Sequence, residues 1–103
     1  MAREQLKTLT EPMFYILLAL TQPMHGYGVM KKVSAMTDGR LNIGAGTLYA
    51  LLGRFESEGV ISLSDEDGRR KTYVLTEIGR VLLDREYLRL KELVAAYIKQ
   101  LLI

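Results

Sequence analysis

Cysteine is absent from the 103-residue chain, which excludes a disulfide framework and any zinc site built on thiolates. Histidine occurs once, as His25, so a multi-histidine metal centre is excluded as well, and no metal or cofactor is expected. Tryptophan is missing, and with it the aromatic best suited to stacking flat cationic molecules. No apolar run reaches the roughly 18 residues that a membrane span needs, so no membrane partner is expected. The opening "MAREQLKTLTEP" lacks the apolar core of a signal peptide, and the expectation is a cytoplasmic protein. Enzyme signatures are missing too. No nucleophile is paired with the histidine and there is no phosphate-binding loop, so catalysis is not expected.

What is present describes a globular chain. Apolar residues make up 49% and charged residues 25%, the proportions of a folded domain. A domain this size buries roughly 60–70% of its unfolded surface. The net charge is only +2, with a pI near 9.0, but the charge is grouped. Residues 26–55 carry Lys31, Lys32, Arg40 and Arg54 against Asp38 alone, and "RRK" at 69–71 follows "DED" at 65–67. Positive charge collected on particular elements is the footprint of a nucleic-acid binder; the alternative is a set of ordinary solvated charges.

Periodicity divides the chain into elements. Thr10 can cap a helix starting at Glu11, with Pro12 tolerated in its first turn. "MFYILLAL" at 13–20 is apolar almost all round, the mark of a helix covered on more than one side. Pro23 and Gly26 break it. In the next helix Met30, Val33 and Met36 form one stripe, Lys31 and Lys32 face outward, and Gly39 is the stop. A third helix, "GAGTLYALLGRFESEG" at 44–59, buries Leu48, Leu51, Leu52 and Phe55 at i, i+3, i+4, i+7. Then the period falls to two. Ile61 and Leu63, then Tyr73 and Leu75, point inward on two strands joined through Asp67-Gly68, a hairpin. From Thr76 a last helix of roughly 40 Å runs to about Ile103. Leu83, Tyr87, Leu90, Val94, Tyr97 and Leu101 recur along it at alternating steps of four and three, a heptad seam. So long a helix cannot lie wholly on a small globule, so its seam requires a second chain.

Helix, helix, short turn, helix, hairpin is the order of a winged helix-turn-helix. The expected fold is therefore mainly α with a small β-hairpin: a DNA-binding winged helix-turn-helix over 1–75 and a C-terminal dimerisation helix over 76–103. The third helix would enter the major groove, about 12 Å wide. Its small first residues, Gly44, Ala45 and Gly46, allow close backbone approach, and its free N–H groups favour phosphate. The basic hairpin would lie over the flanking backbone or minor groove.

The residues also resemble a family, the PadR-like transcriptional regulators. The resemblance runs from about Thr10 to Val94 and rests on "YILLAL", "HGYGVM" at 25–30, "GAGTLYALL" at 44–52, "EGVI" at 58–61 and "RRKTYVLTEIG" at 69–79, in that order and spacing. It implies a homodimer built from the last helix and the partner's first helix. It also implies repression relieved by a small-molecule effector or another signal; a homodimer of this motif is expected to bind double-stranded DNA at a palindromic operator. Carried over by position, Tyr49 would contact phosphate and Thr47 phosphate or a base edge, while Arg54 lies near positions that are often basic. Arg69, Arg70 and Lys71 match the wing. The sequence departs from the family at Ala50, where proline is frequent, at Gly28, where an acid is common, and at Gly53, which loosens its helix by roughly 1 kcal/mol against alanine.

The candidate DNA-binding residues are thus Lys31, Lys32, Gly46, Thr47, Tyr49, Ala50, Arg54, Arg69, Arg70 and Lys71. Lys31 and Lys32 could equally be a solvated face. The candidate dimer interface is Phe14, Leu17, Leu83, Tyr87, Leu90, Val94, Tyr97 and Leu101. An effector cavity between the first and last helices would be lined by Met13, Phe14, Tyr15 and Tyr97. His25 reads as a structural turn residue, with pH sensing or effector binding as the alternative. Tyr27 and Tyr73 read as packing residues. The acidic "DED" would keep the wing tip off the DNA backbone and leaves open a second reading, a winged-helix module that binds protein and not DNA.

Overall fold

Thr10 opens the first helix, α1 (Glu11–Ala19), and its side-chain oxygen accepts a hydrogen bond from the Met13 amide at 3.4 Å. This computed structural model describes residues 8–68 and 70–102. After α1 come β1 (Met24–His25), α2 (Gly26–Met36), α3 (Ala45–Ser57), β2 (Ile61–Asp67), β3 (Arg70–Leu75) and α4 (Glu77–Leu101). The helices pack around Ile16, Leu17, Val29, Val33, Leu48 and Phe55, all fully buried. The apolar side of α1 faces this core: Met13, Ile16, Leu17 and Ala19 are buried, and only Leu18 among its aliphatic residues is exposed.

The hairpin gains a third strand. The sheet is antiparallel in the order β1-β3-β2, with Met24 opposite Tyr73 and His25 opposite Thr72. Two extended residues after Pro23 are too few to show a period in the sequence. The central position of β3 also explains a correction at Leu63. Leu63 stands opposite Tyr73, so the two share a face, yet Tyr73 is buried while Leu63 is 40% exposed. Tyr73 has a strand on each side, whereas Leu63 lies on an outer strand, next to a register shift between Leu63 and Asp65.

Between α2 and α3 the chain turns through left-handed backbone at Asp38 and Gly39. The Gly39 amide reaches back to the Ser34 carbonyl at 2.8 Å, so α2 ends at Met36, slightly before the expected stop. Arg40 extends from this turn to Glu11 at 2.8 Å, an exposed ion pair that contributes little to stability.

Thr76 joins α4 to the rest. Its amide donates to the Val60 carbonyl at 3.0 Å. Its hydroxyl donates to the Gly59 carbonyl at 2.6 Å and accepts from the Gly79 amide at 3.1 Å. Gly79 packs against the Val60 carbonyl oxygen and the Leu75 side chain, with no room for a Cβ. Glu77 in the first turn and Lys99 in the last match the helix dipole.

One turn past Leu83, the Glu86 carboxylate is buried. It accepts the Leu9 amide at 2.8 Å and two bonds from Arg89, at 2.7 and 2.9 Å. The Arg89 hydrogen bonds hold this carboxyl below the usual carboxylate range, against the opposing effect of burial. Every residue from 87 to 102 is exposed. Here α4 leaves the globule.

Candidate nucleic-acid interface

The buried stripe of α3 dictates what the helix shows outside. Leu48, Leu52 and Phe55 are buried and Leu51 is half-buried. At about 100° per residue, the opposite side is a ridge of Gly46, Ala50, Gly53 and Ser57, all exposed. A Cβ added at Gly46 or Gly53 would meet nothing within 4 Å. Thr47 and Arg54 flank the ridge on one shoulder and Tyr49 on the other. Thr47 and Tyr49 are exposed; Arg54 is half-buried and already engaged within the chain. The α3 N-terminus at Gly44 has no side-chain cap, leaving its first amides open to an anion.

The two shoulders have different surroundings. On the Tyr49 side a cleft of about 370 Å³ is lined by His25, Gly26, Tyr27, Tyr49, Arg70, Lys71 and Tyr73. It joins the start of α2, the outer face of α3 and the base of the wing, and no acid lines it among the described residues. On the other shoulder Thr47 and Arg54 stand apart from this cleft. Lys31 and Lys32 are exposed on α2, outside the cleft, with the Lys31 ammonium 5.5 Å from the centre of the Tyr27 ring. Arg70 and Lys71 are exposed on β3; Arg69 lies outside the described residues. Opposite them the register sets Asp67 against Arg70 and Glu66 against Lys71.

One reading of the sequence changes here. Tyr27 is 60% exposed and is a cleft residue, not a packing one, because it falls at the start of α2, where the helix faces the wing. His25 stands at the N-cap position of α2 without a side-chain capping bond and lines the same cleft. Tyr27 four residues ahead of Lys31 was the available signal, a pairing that helical spacing favours.

The seam residues divide as well. Tyr87, Val94, Tyr97 and Leu101 are 54–66% exposed and Leu90 is 37% exposed, while Phe14 is half-buried. Leu17 and Leu83 are 0% and 5% exposed and belong to the chain's own core, so neither presents a surface to a second chain. A cavity of about 270 Å³ between α1 and α4 is lined by Leu9, Thr10, Glu11, Phe14, Tyr15, Glu86 and Leu90. Of the expected effector residues it includes Phe14 and Tyr15, whose rings meet edge to face at 6.3 Å. Met13 is buried beneath, and Tyr97 lies farther along α4. Among the described residues no group of His, Cys, Asp and Glu could hold a metal ion, and no helix is long and apolar enough to cross a membrane.

Comparison with known proteins agrees with this architecture. Residues 16–85 match the family described as the transcriptional regulator PadR-like family. A PadR family transcriptional regulator from Eggerthella lenta superposes with a TM-score of 0.67 at 29% identity, over 85% of this chain and 75% of that one. A transcriptional regulator from Clostridium thermocellum shares the fold with a TM-score of 0.68 at 24% identity, over 90% and 93% of the two chains. An uncharacterised 37.1 kDa protein in a transposon of Streptomyces fradiae is 38% identical over 72 residues. That match covers 69% of this chain, which spans only 20% of the length of that relative.

Proposed function

The chain belongs to the PadR-like family of transcriptional regulators, not to a family of enzymes, and from that premise we propose that it is a cytoplasmic, homodimeric repressor that binds a palindromic operator. One observation carries the reading most directly. The cleft brings Tyr49 of α3 together with Arg70 and Lys71 of the wing, so the helix that would enter the groove and the strand that would follow the backbone share one basic wall. On the two shoulders of α3, Tyr49 contacts phosphate and Thr47 phosphate or a base edge, and Arg54 reads a base edge. The thin ridge of Gly46, Ala50 and Gly53 offers few hydrogen bonds, so groove fit and DNA shape supply much of the selectivity. The exposed seam of α4 packs on a second copy. A small molecule in the α1–α4 cavity, against Phe14 and Tyr15, releases the operator.

Binding to labelled duplexes over a salt series tests this. A dimer with half-sites about 34–36 Å apart that neutralises on the order of eight phosphates should give a log–log salt slope near −7. Arg54→Ala should reduce discrimination between operator and random duplex more than Arg70→Ala does. Equal affinity for every duplex, or a flat salt response, would refute specific repression.

The acids facing Lys71 and Arg70 across the wing favour a second reading, a winged-helix module that binds another protein. Failure to retain any duplex at low salt would select it.

A further inference from the structure

Gly26 begins α2 with ordinary backbone, since positive φ among the described glycines is confined to Gly39, Gly59 and Gly68. Backbone conformation therefore does not demand glycine here; space does. A Cβ at Gly26 would lie 2.6 Å from the Tyr49 hydroxyl oxygen, 2.7 Å from its Cε1 and 2.8 Å from its Cζ. All three are well inside the roughly 3.5–4.0 Å of a comfortable carbon contact. Gly44, Gly46 and Gly53 are different, for nothing lies within 4 Å of a Cβ at any of them. Their space is open to the outside, while the space at Gly26 is filled by a ring from another helix.

That ring is unusual for its position. Tyr49 is 54% exposed and stands off the buried stripe of α3, where a tyrosine would ordinarily sample several rotamers. Instead its outer edge rests on the bare first turn of α2, in the cleft that also holds Arg70 and Lys71. We infer that Gly26 is a positioning residue for DNA binding: its missing side chain seats the Tyr49 ring and fixes the hydroxyl beside the basic wall of the wing. A side chain held before binding loses less freedom on binding. The seat also spans two helices, so it sets the spacing between the start of α2 and the outer face of α3. This inference rests on the DNA-binding reading above.

A double-mutant cycle tests it. The probe is the duplex that the wild-type protein selects from a random-sequence pool, read by fluorescence anisotropy. Gly26→Ala displaces the ring and should weaken binding about fivefold to tenfold, although alanine is the better helix former. Tyr49→Ala should weaken it by a similar factor. In the double variant the alanine Cβ meets no ring, so Gly26→Ala should add no loss to Tyr49→Ala. The double variant also restores the space, so it reports even where Gly26→Ala alone is unstable. In the free protein, the Tyr49 ring resonances should shift on Gly26→Ala. Losses that simply add, or wild-type affinity in Gly26→Ala, overturn the seat while leaving DNA binding intact. A wild-type protein that selects no duplex overturns the DNA reading and the seat with it.

Discussion

Gly53 and Gly79 both lie within a helix, yet their surroundings predict opposite responses to alanine. At Gly53 an added Cβ meets nothing within 4 Å, so Gly53→Ala should stabilise the fold by about 1 kcal/mol through helix propensity alone. On a domain this size that raises the melting temperature by about 4–8 °C. At Gly79 the same methyl would run into the Val60 carbonyl and the Leu75 side chain. A backbone oxygen cannot swing aside, and Gly79→Ala should cost about 1–3 kcal/mol. Thermal melts of the two variants check both signs. Sequence alone treats the two glycines alike, because the difference lies in what packs against each. The same limit applies to Tyr27 and Leu63. Residue type named Tyr27 as a packing side chain and alternation named Leu63, but their exposure depends on what stands next to them. Leu48, Leu52 and Phe55 were legible because a stripe at helical spacing has only one way to face the core.

At the level of elements, the order of helices and strands was readable from the change of period after Gly59. The strand β1 was not, being too short to have a period. The heptad seam of α4 was read too far in one direction. Spacing places Leu83 in line with Leu90 and Val94 but does not say where the helix leaves the globule. That point is marked by Glu86, whose carboxylate ties α4 to the Leu9 amide. Because Arg89 and this amide lower its folded-state pKa, the carboxylate contributes stability that is fully present above the ordinary glutamate range. That contribution is lost as pH falls through the depressed value. Glu86→Gln removes the titration. The stability gap between wild type and Glu86→Gln, followed by urea denaturation across the acid range, should be widest near neutrality and close towards low pH. A gap that is constant with pH would show that the ion pair does not control acid stability.

The whole molecule is longer than its length in residues suggests. Its radius of gyration is 15.0 Å, against about 13 Å for a compact chain of 100 residues, and its extents are 56 × 34 × 21 Å. The excess is the outer half of α4, which carries Val94, Tyr97 and Leu101 in solvent. Val94→Glu places a charge on the seam at a residue 59% exposed in the protomer, so the protomer should still fold, with its melting temperature lowered only by the stabilisation that dimerisation supplies. Dimers and DNA binding should disappear together in sedimentation equilibrium and anisotropy. A stable dimer of that variant would place the interface elsewhere. The projecting helix also governs how the molecule moves through a solvent. A rod-tipped body drags more water than a sphere of equal mass, diffuses more slowly and leaves a gel-filtration column early. A lone protomer would therefore pass for a heavier particle, and only a measurement blind to friction, such as light scattering, can count its copies.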